Sequence, residues 1–521
     1  MTLRAAGRWA GVCIAVGSGL VLLTIVRTSI TQDEPSFYSY GERVLLKGEF
    51  SRVWPSDNSK LPVSALNVVP AWLGARSGLS AAPLTGFLQR AFEPEEAIYI
   101  REHLAIYAGR VITLLFYVVL CWLVFAWGSE IYGARGALAA TALIAFLPVV
   151  LGHAGLVTVD VAAACTILAA VYAVARCFRD PSLSRALLAG LVLGAAQLVK
   201  YTAVGLWPIA LLMLLARVVT ARRTEAWWRV LHAGVTSLVI AALVAIGVIN
   251  LGFAFQRSGV RLSELACRSD ACHAMRGVVG NLLLPLPYEY VNGLDVVCLH
   301  DEQGLAGGNV YLLGRLSREG FPSYFLVATL LKTPLPFLVL LLTRPWRRQR
   351  RFVDLVWLAP VLWLFGHLSF FFHTQLGLRY FLPAFPFLAL LAAANFEERR
   401  SVRLRWLATT LVATQLVTTL WQCPHYLAYF NALIGSRRDA YRYLADSNLD
   451  WGQDHFALLA WQRAHANDRY TLRPLGPTHG LVIVRANDLV GIDNPETFRW
   501  LRMQATPVQL IGDSFLLFDI P

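Results

Sequence analysis

Charge is scarce in this sequence. Asp, Glu, Lys and Arg supply only 15% of its 521 residues, where a soluble domain carries about 25%. That shortage excludes an ordinary water-soluble enzyme. Nucleotide-handling signatures are missing as well: the chain has no Walker loop, no Gly-x-Gly-x-x-Gly fingerprint and no Gly-x-Ser-x-Gly elbow. Nucleotide-driven transport by this chain alone is therefore unsupported, because no loop cradles a triphosphate. Internal repeats and low-complexity tracts are absent, which excludes a solenoid. No small-x-small cleavage site follows Ile25, so the first apolar run, from Arg8 to Arg27, reads as a retained signal anchor and not a removed peptide.

What fills the sequence is apolar. Hydrophobic residues make up 56% of the chain, in recurring runs of about 20 residues, the length that crosses a bilayer core. Eleven spans are expected, at 9–27, 104–127, 136–152, 158–176, 186–200, 202–217, 231–253, 323–343, 352–372, 379–396 and 406–422. The formal net charge of +13 does not point to nucleic acid. Its arginines sit in short connections: Arg4 and Arg8; Arg135; Arg176, Arg179 and Arg185; Arg217, Arg222, Arg223 and Arg229; Arg344, Arg347, Arg348, Arg350 and Arg351; Arg399, Arg400, Arg403 and Arg405. Membrane lipids are the expected partner of such loops, and the positive-inside rule puts them and the N-terminus in the cytoplasm. A single tilted helix over 186–217 would push two of the Arg-rich loops outside, so two spans meeting at Lys200–Tyr201–Thr202 are expected.

Three segments then face the periplasm of a bacterial inner membrane. The first, 28–103, carries amphipathic stretches at 61–75 and 84–103 suited to the interface plane. The second, 254–322, is rich in Gly, Pro and Tyr. The third, 423–521, has the composition of a small soluble α/β domain, with strands expected at Gly480–Val484 and Ser514–Ile520 and helices at 452–466 and 496–503. The fold class is an all-α multi-pass membrane unit over 1–422 followed by that C-terminal domain.

Ionisable residues beside spans carry the chemistry worth testing, because burying a charge unpaired is expensive. Asp33 and Glu34 follow the first span, and Pro35, Phe37, Tyr38 and Tyr40 make their surroundings apolar. Simple solvation is the bland alternative. In an apolar setting a carboxylate gains basicity and can take a proton from a hydroxyl. Asp160, after His153 and Thr158 at the mouth of spans three and four, is either a site acid or a helix cap. Lys200 and Arg379 lie at outer helix ends, where they either snorkel to headgroups or hold a phosphate. Lys332 sits inside span eight before Pro334 and Pro336 and needs a partner, as does Arg110 in span two.

Of eight cysteines, Cys13, Cys121, Cys165 and Cys177 lie in apolar runs and read as packing residues. Cys267, Cys272 and Cys298, with His273 and His300, admit a disulfide, free thiols or a metal site. An oxidising compartment favours the disulfide, but the pairing, which Cys423 could join, is not deducible.

Taken in order, several motifs resemble the GT-C superfamily, in particular its protein O-mannosyltransferase-like and aminoarabinose-transferase-like bacterial group. They are Asp33–Glu34–Pro35 with Tyr38; Gly41 with Leu45–Leu46–Lys47–Gly48; His153 with Thr158-x-Asp160; Gln197–Leu198–Val199–Lys200–Tyr201–Thr202; Tyr311–Leu312–Leu313–Gly314; Lys332–Thr333–Pro334; Gly377–Leu378–Arg379–Tyr380-x-x-Pro383; Pro424–His425–Tyr426-x-x-Tyr429–Phe430–Asn431; and Asp446 through Asp454. The resemblance runs from about residue 10 to 460. It implies an inverting glycosyltransferase using a polyprenyl-monophosphate sugar donor and a hydroxyl acceptor on protein, glycan or lipid. It implies Asp33 as general base, Glu34 as a residue that shapes the site or binds the acceptor, and Asp160 as a second acidic site residue. Lys200, Arg379 and Lys332 would hold the lipid phosphate, and Tyr38, His153 and Asp450 would contact acceptor or sugar. It implies no metal or other cofactor. The chain lacks the large inserted luminal domain of the eukaryotic protein mannosyltransferases, which leaves the acceptor open. A flippase for polyprenyl-linked saccharide is the alternative, and an inactive scaffold a third reading.

Overall fold

The computed structural model describes residues 1–50, 61–77, 82–222, 227–304, 309–345, 351–397 and 400–521. Arg223, Arg347, Arg348, Arg350 and Arg399 lie outside the described residues, as does the side chain of Arg351. The protein is mostly helical. Among the described residues seven helices are long and apolar enough to cross a membrane, and eight if one sharply bent pair is counted as a span.

The first is Leu3–Arg27, capped by the Thr2 hydroxyl, which accepts from the Ala5 amide at 3.2 Å. The next, Leu104–Ala145, is a hairpin of two helical arms broken at Gly133, where φ is 69°. The Tyr117 hydroxyl donates to the Ala145 carbonyl at 2.9 Å, although 28 residues of straight helix would separate them by about 42 Å. Gly133 is the residue able to take that turn without a Cβ penalty. The two spans expected at 104–127 and 136–152 are the arms of this hairpin, with a short second break before Pro148–Ala154.

A similar argument settles the connection at Lys200. Gly190 and Gly194 pack on Ala241 and Ala245, and Gly252 on Leu198, so helix Leu183–Val199 runs parallel to Trp227–Gly252. Gly234 packs on Leu214, so Leu206–Ala221, which leads directly into Trp227–Gly252, runs antiparallel to it. Helices Leu183–Val199 and Leu206–Ala221 therefore run in opposite directions and are not one tilted rod. Extended Lys200 and a 3₁₀ turn at Tyr201–Gly205 join them.

Two expected spans are present but not as straight α-helices. The segment 323–343 is not a straight helix: Tyr324–Lys332 and Leu335–Leu342 meet at 115°, because Pro334 lacks the amide that would continue the first helix. The segment 379–396 begins as 3₁₀ helix over Leu378–Ala384, becomes α-helical over Phe385–Ala392 and ends as 3₁₀ helix at Ala393–Phe396.

The expected amphipathic stretches are helical at Leu61–Arg76, Ala82–Ala91 and Pro94–Glu102. The first packs on the long hairpin, with the Asn67 amide donating to the Gly109 carbonyl at 2.7 Å. Segment 254–322 holds antiparallel strands β1 (Ser258–Arg261) and β2 (Leu283–Pro287), then β3 (Val310–Leu312) and β4 (Arg315–Ser317). Cys267 and Cys272 form a disulfide, while Cys298 and Cys423 are free thiols. The C-terminal domain is a four-stranded sheet in the order β5 (Tyr470–Leu472), β6 (Gly480–Arg485), β8 (Phe515–Ile520), β7 (Gln509–Ile511). Helix His455–Ala464 packs Leu458 and Trp461 against Ile483, Ile511 and Leu517 of this sheet.

Candidate functional site

Two acid–cation pairs meet around one tyrosine. Arg379 Nη1 donates to Asp33 Oδ2 at 2.8 Å, and Lys200 Nζ donates to Asp160 Oδ1 at 2.8 Å. The Tyr380 ring joins them: Lys200 Nζ lies 4.8 Å and the Arg379 guanidinium carbon 5.3 Å from its centroid. The Trp451 ring lies 4.2 Å from Arg379 and 5.9 Å from the His153 ring. Residues far apart in sequence thus come together in one cluster.

Each carboxylate is free of local duties. Asp33 precedes helix Glu34–Glu42 as its N-cap but makes no side-chain capping bond, and a third of its side chain is exposed. Asp160 opens helix Asp160–Arg179, and the cap before it, Val159, has no side-chain bond to offer. Asp160 therefore serves Lys200 rather than the helix end, although the positive end of the helix dipole also favours its charge. Lys200 and Arg379 are turned inward onto carboxylates, not outward to headgroups. Two buried polar atoms remain open here: Arg379 Nε and His153 Nε2 have no partner, while His153 Nδ1 is spent on the Val149 carbonyl at 2.8 Å.

Glu34, adjacent to Asp33, is placed elsewhere. It is fully buried against Arg110, with Nε–Oε1 at 2.8 Å and Nη2–Oε2 at 2.7 Å. The Thr31 amide and the Val157 amide add bonds of 2.8 and 2.9 Å. Arg110 also donates to the carbonyls of Ile25, Thr28 and Ser29. This answers the question of Arg110's partner, and of the two expectations for Glu34 the contacts fit the shaping of the site: both its oxygens are engaged in fixing the turn that carries Asp33.

Lys332 and Asp450 each have protein partners. Lys332 Nζ donates to the Leu427 carbonyl at 2.7 Å and to the Asn448 carbonyl, beneath the Phe430 ring. Asp450 takes a forked contact from Arg485, with Nη2–Oδ1 at 2.7 Å, and a bond from the Asn487 amide. Tyr38 is buried in the hydrophobic core, and burial, with Glu42 adding, pushes its hydroxyl up to about 12.

The segment Asp446–Asp454 straps the site together. The Ser29 amide donates to the Gln453 carbonyl at 3.1 Å and the Gln32 amide to the Trp451 carbonyl at 2.9 Å. On the other side the Leu378 amide donates to Asn448 Oδ1 at 3.0 Å, and the Ser447 hydroxyl donates to the Leu376 carbonyl. Gly377, at φ 125°, is required there, since a Cβ would collide with the Ser447 hydroxyl. The strap fixes the loop before Asp33 and the turn before Arg379 in one frame. It also brings Asp446, whose carboxyl burial raises to about 6, with Arg379 opposing and the Asp33 charge adding to the rise. Tyr380, Trp451 and Asp446, which lie inside the motifs quoted above without an expected role, surround Arg379 as well. Among the described residues no three His, Cys, Asp or Glu side chains gather into a metal-holding group.

Residues 83–246 match the protein family described as dolichyl-phosphate-mannose-protein mannosyltransferase. That segment holds Asp160 and Lys200; Asp33 and Arg379 lie outside it. No curated protein shows a significant match to the chain. Among solved structures, ArnT from Cupriavidus metallidurans bound to undecaprenyl phosphate aligns at 14% identity and TM-score 0.49, over 83% of this chain and 68% of that one. The Archaeoglobus fulgidus oligosaccharyltransferase tethered with an acceptor peptide aligns at 14% identity and TM-score 0.46, over 83% of this chain. The aligned part is only 57% of the length of that archaeal chain.

Proposed function

We propose, from the premise that this chain is a GT-C-type glycosyltransferase of the protein O-mannosyltransferase-like group, that it moves a sugar from a polyprenyl-monophosphate donor to a hydroxyl of a protein, glycan or lipid acceptor. The observation carrying this reading is the convergence of the Asp33–Arg379 and Asp160–Lys200 pairs on Tyr380.

Arg379 offers its open Nε, beside a guanidinium arm already on Asp33, to a phosphate oxygen. Forked contacts of this kind suit phosphate. Asp33 accepts the proton of the acceptor hydroxyl as its oxygen bonds to the anomeric carbon. The bond from that carbon to the phosphate oxygen breaks on the opposite face, inverting the centre. Polyprenyl phosphate leaves carrying the electron pair, and Arg379 and Lys200 stabilise the charge that develops on it. The reaction as written needs no metal. Asp160 holds Lys200 in place, and His153, with Nε2 open beside Trp451, faces sugar or acceptor.

The site lies at the end of the helices opposite the arginines. Asp160 and Arg179 bound a 20-residue helix, a separation of about 28 Å, close to the ~30 Å hydrocarbon core. With the arginines cytoplasmic, acids and cations open at the outer face of the inner membrane, and the C-terminal domain is periplasmic. A reporter fused after Pro521 should appear outside the cytoplasm.

The test is direct. Purified protein is given a panel of radiolabelled polyprenyl-monophosphate sugars, and release of free polyprenyl phosphate is measured. Release with one donor supports the reading; movement of intact donor across a vesicle membrane without release supports the flippase. Mass spectrometry of envelope glycans, glycolipids and glycoproteins from a deletion strain then identifies the acceptor.

A further inference from the structure

The proposed transfer draws nothing from segment 254–322, yet one helix of that segment touches both turns that carry the cations. Helix Tyr288–Glu302 follows β2 without a break. Near its start the Tyr290 hydroxyl donates to Gln197 Oε1 at 3.2 Å, and the Tyr290 carbonyl accepts from the Tyr201 hydroxyl at 3.0 Å. The two tyrosine rings also meet edge to face, with centroids 5.3 Å apart. Gln197 and Tyr201 stand on either side of Lys200. Near the helix's end Asp301 Oδ1 accepts from the His373 amide at 2.7 Å and the Thr374 amide at 3.3 Å. Short turns lead from there to Arg379: the Leu376 amide donates to the Thr374 carbonyl at 3.2 Å, and the Tyr380 amide to the Gly377 carbonyl at 3.4 Å.

These contacts make the helix a strut. From Tyr290 to Asp301 it rises about 16 Å, and its ends grip two pieces of irregular backbone. One is extended Lys200 with the 3₁₀ turn Tyr201–Gly205; the other is Gly377 with the 3₁₀ turn Leu378–Ala384. Such turns leave backbone groups unpaired and take their shape from outside ties. A phosphate held by two cations on separate turns is bound well only when both reach it together, and a misplacement of about 1 Å is costly. The strut is itself anchored. Asp295 accepts from the Arg268 and Ser269 amides, both at 3.0 Å, and Glu302 from the Asp270 and Ala271 amides at 2.8 and 3.1 Å. All four amides belong to the turn closed by the Cys267–Cys272 disulfide.

We propose that helix Tyr288–Glu302 sets the spacing of Lys200 and Arg379, with Tyr290 and Asp301 as positioning residues that act on the lipid phosphate through those two cations. The inference rests on the phosphate-binding role given to Lys200 and Arg379 above.

Affinities of the purified full chain for polyprenyl phosphate and for the unphosphorylated polyprenol separate positioning from general structure. The wild-type protein should prefer the phosphate by about tenfold or more. Asp301→Ala should weaken phosphate binding about fivefold and leave polyprenol binding as it was. Asp301→Asn, whose amide oxygen still accepts from His373 and Thr374, should restore it. Tyr290→Phe, which removes a single hydroxyl and carries the test should Asp301→Ala not fold, should show a selective loss of about threefold. Each loss should vanish once its cation is gone: that of Asp301→Ala in an Arg379→Gln background, that of Tyr290→Phe in a Lys200→Gln background. Equal losses for both lipids, or losses that persist in those backgrounds, would overturn the proposal. A wild type that prefers the phosphate beside variants that bind it undiminished would sink the strut alone. A wild type that binds the two lipids equally would remove the phosphate site, and the strut's role with it.

Discussion

Arg379 reaches Asp33 across 346 residues of sequence, Nη1 to Oδ2 at 2.8 Å, and its buried Nε is left without a partner. One guanidinium is thereby joined to a carboxylate and has a further donor left over. In the proposed reaction this would tie deprotonation of the acceptor to departure of the phosphate, and it sets the expected behaviour of several variants.

Arg379→Lys keeps the charge and loses the fork. The donor KM should rise roughly tenfold or more, the scale of losing one charge-assisted contact. Steady-state kinetics with varied donor measures it. An unchanged KM would remove Arg379 from the phosphate site.

Glu34 and Asp33 are neighbours with opposite expected phenotypes. Glu34→Gln breaks a pair whose members are both fully buried, and removing one partner of such a pair costs about 3–5 kcal/mol. Thermal unfolding should show a large loss of stability for Glu34→Gln and little for Asp33→Asn. The reverse order would mean that Glu34, and not Asp33, faces the substrate.

Asp446 gives the site a pH dependence. Its folded carboxyl titrates at about 6 against an ordinary 3.8. A raised carboxyl pKa means the folded state holds the proton longer than the unfolded chain does. Stability from this group is therefore greatest below about 4 and falls as pH rises through about 6. Above that point Asp446 places a second negative charge opposite Arg379, so affinity for an anionic donor should fall several-fold between pH 5 and 7. Asp446→Asn should flatten that part of the binding curve; an identical curve for the variant would exclude Asp446 as its source.

Dialysis against EDTA should leave transfer intact, since the mechanism assigns charge stabilisation to Arg379 and Lys200. Loss of activity restored by a divalent ion would require a cation in the site.

Much of this was legible in the sequence, for definable reasons. Hydropathy marked the helices, and alternation marked the strands at Gly480–Val484 and Ser514–Ile520, because both patterns are local. The rule that an ionisable group beside a span needs a partner singled out Asp33, Asp160, Lys200 and Arg379. Which cation meets which acid depends on helices packing across hundreds of residues, and no spacing reveals it. For the same reason nothing in the sequence paired Glu34 with Arg110, which lies on another helix. Pro334 and Pro336 stand inside the span expected at 323–343, and its 115° bend there was not foreseen, because hydropathy alone does not register a bend. Asp450 drew attention through its motif, yet its partner Arg485 lies on a strand of the C-terminal domain. Tyr380 and Trp451 were hidden because aromatics are common beside spans, and only the cations stacked on them distinguish these two.

The central claim is that Asp33 is the base in a site whose cations hold the lipid phosphate. Its most direct test is single-turnover sugar transfer by Asp33→Asn in detergent, with binding of the polyprenyl-phosphate donor measured on the same preparation. The account expects transfer to fall by about 10²–10⁴-fold, the usual contribution of a positioned base, while the donor still binds. Transfer at the wild-type rate, with donor binding intact, would contradict it.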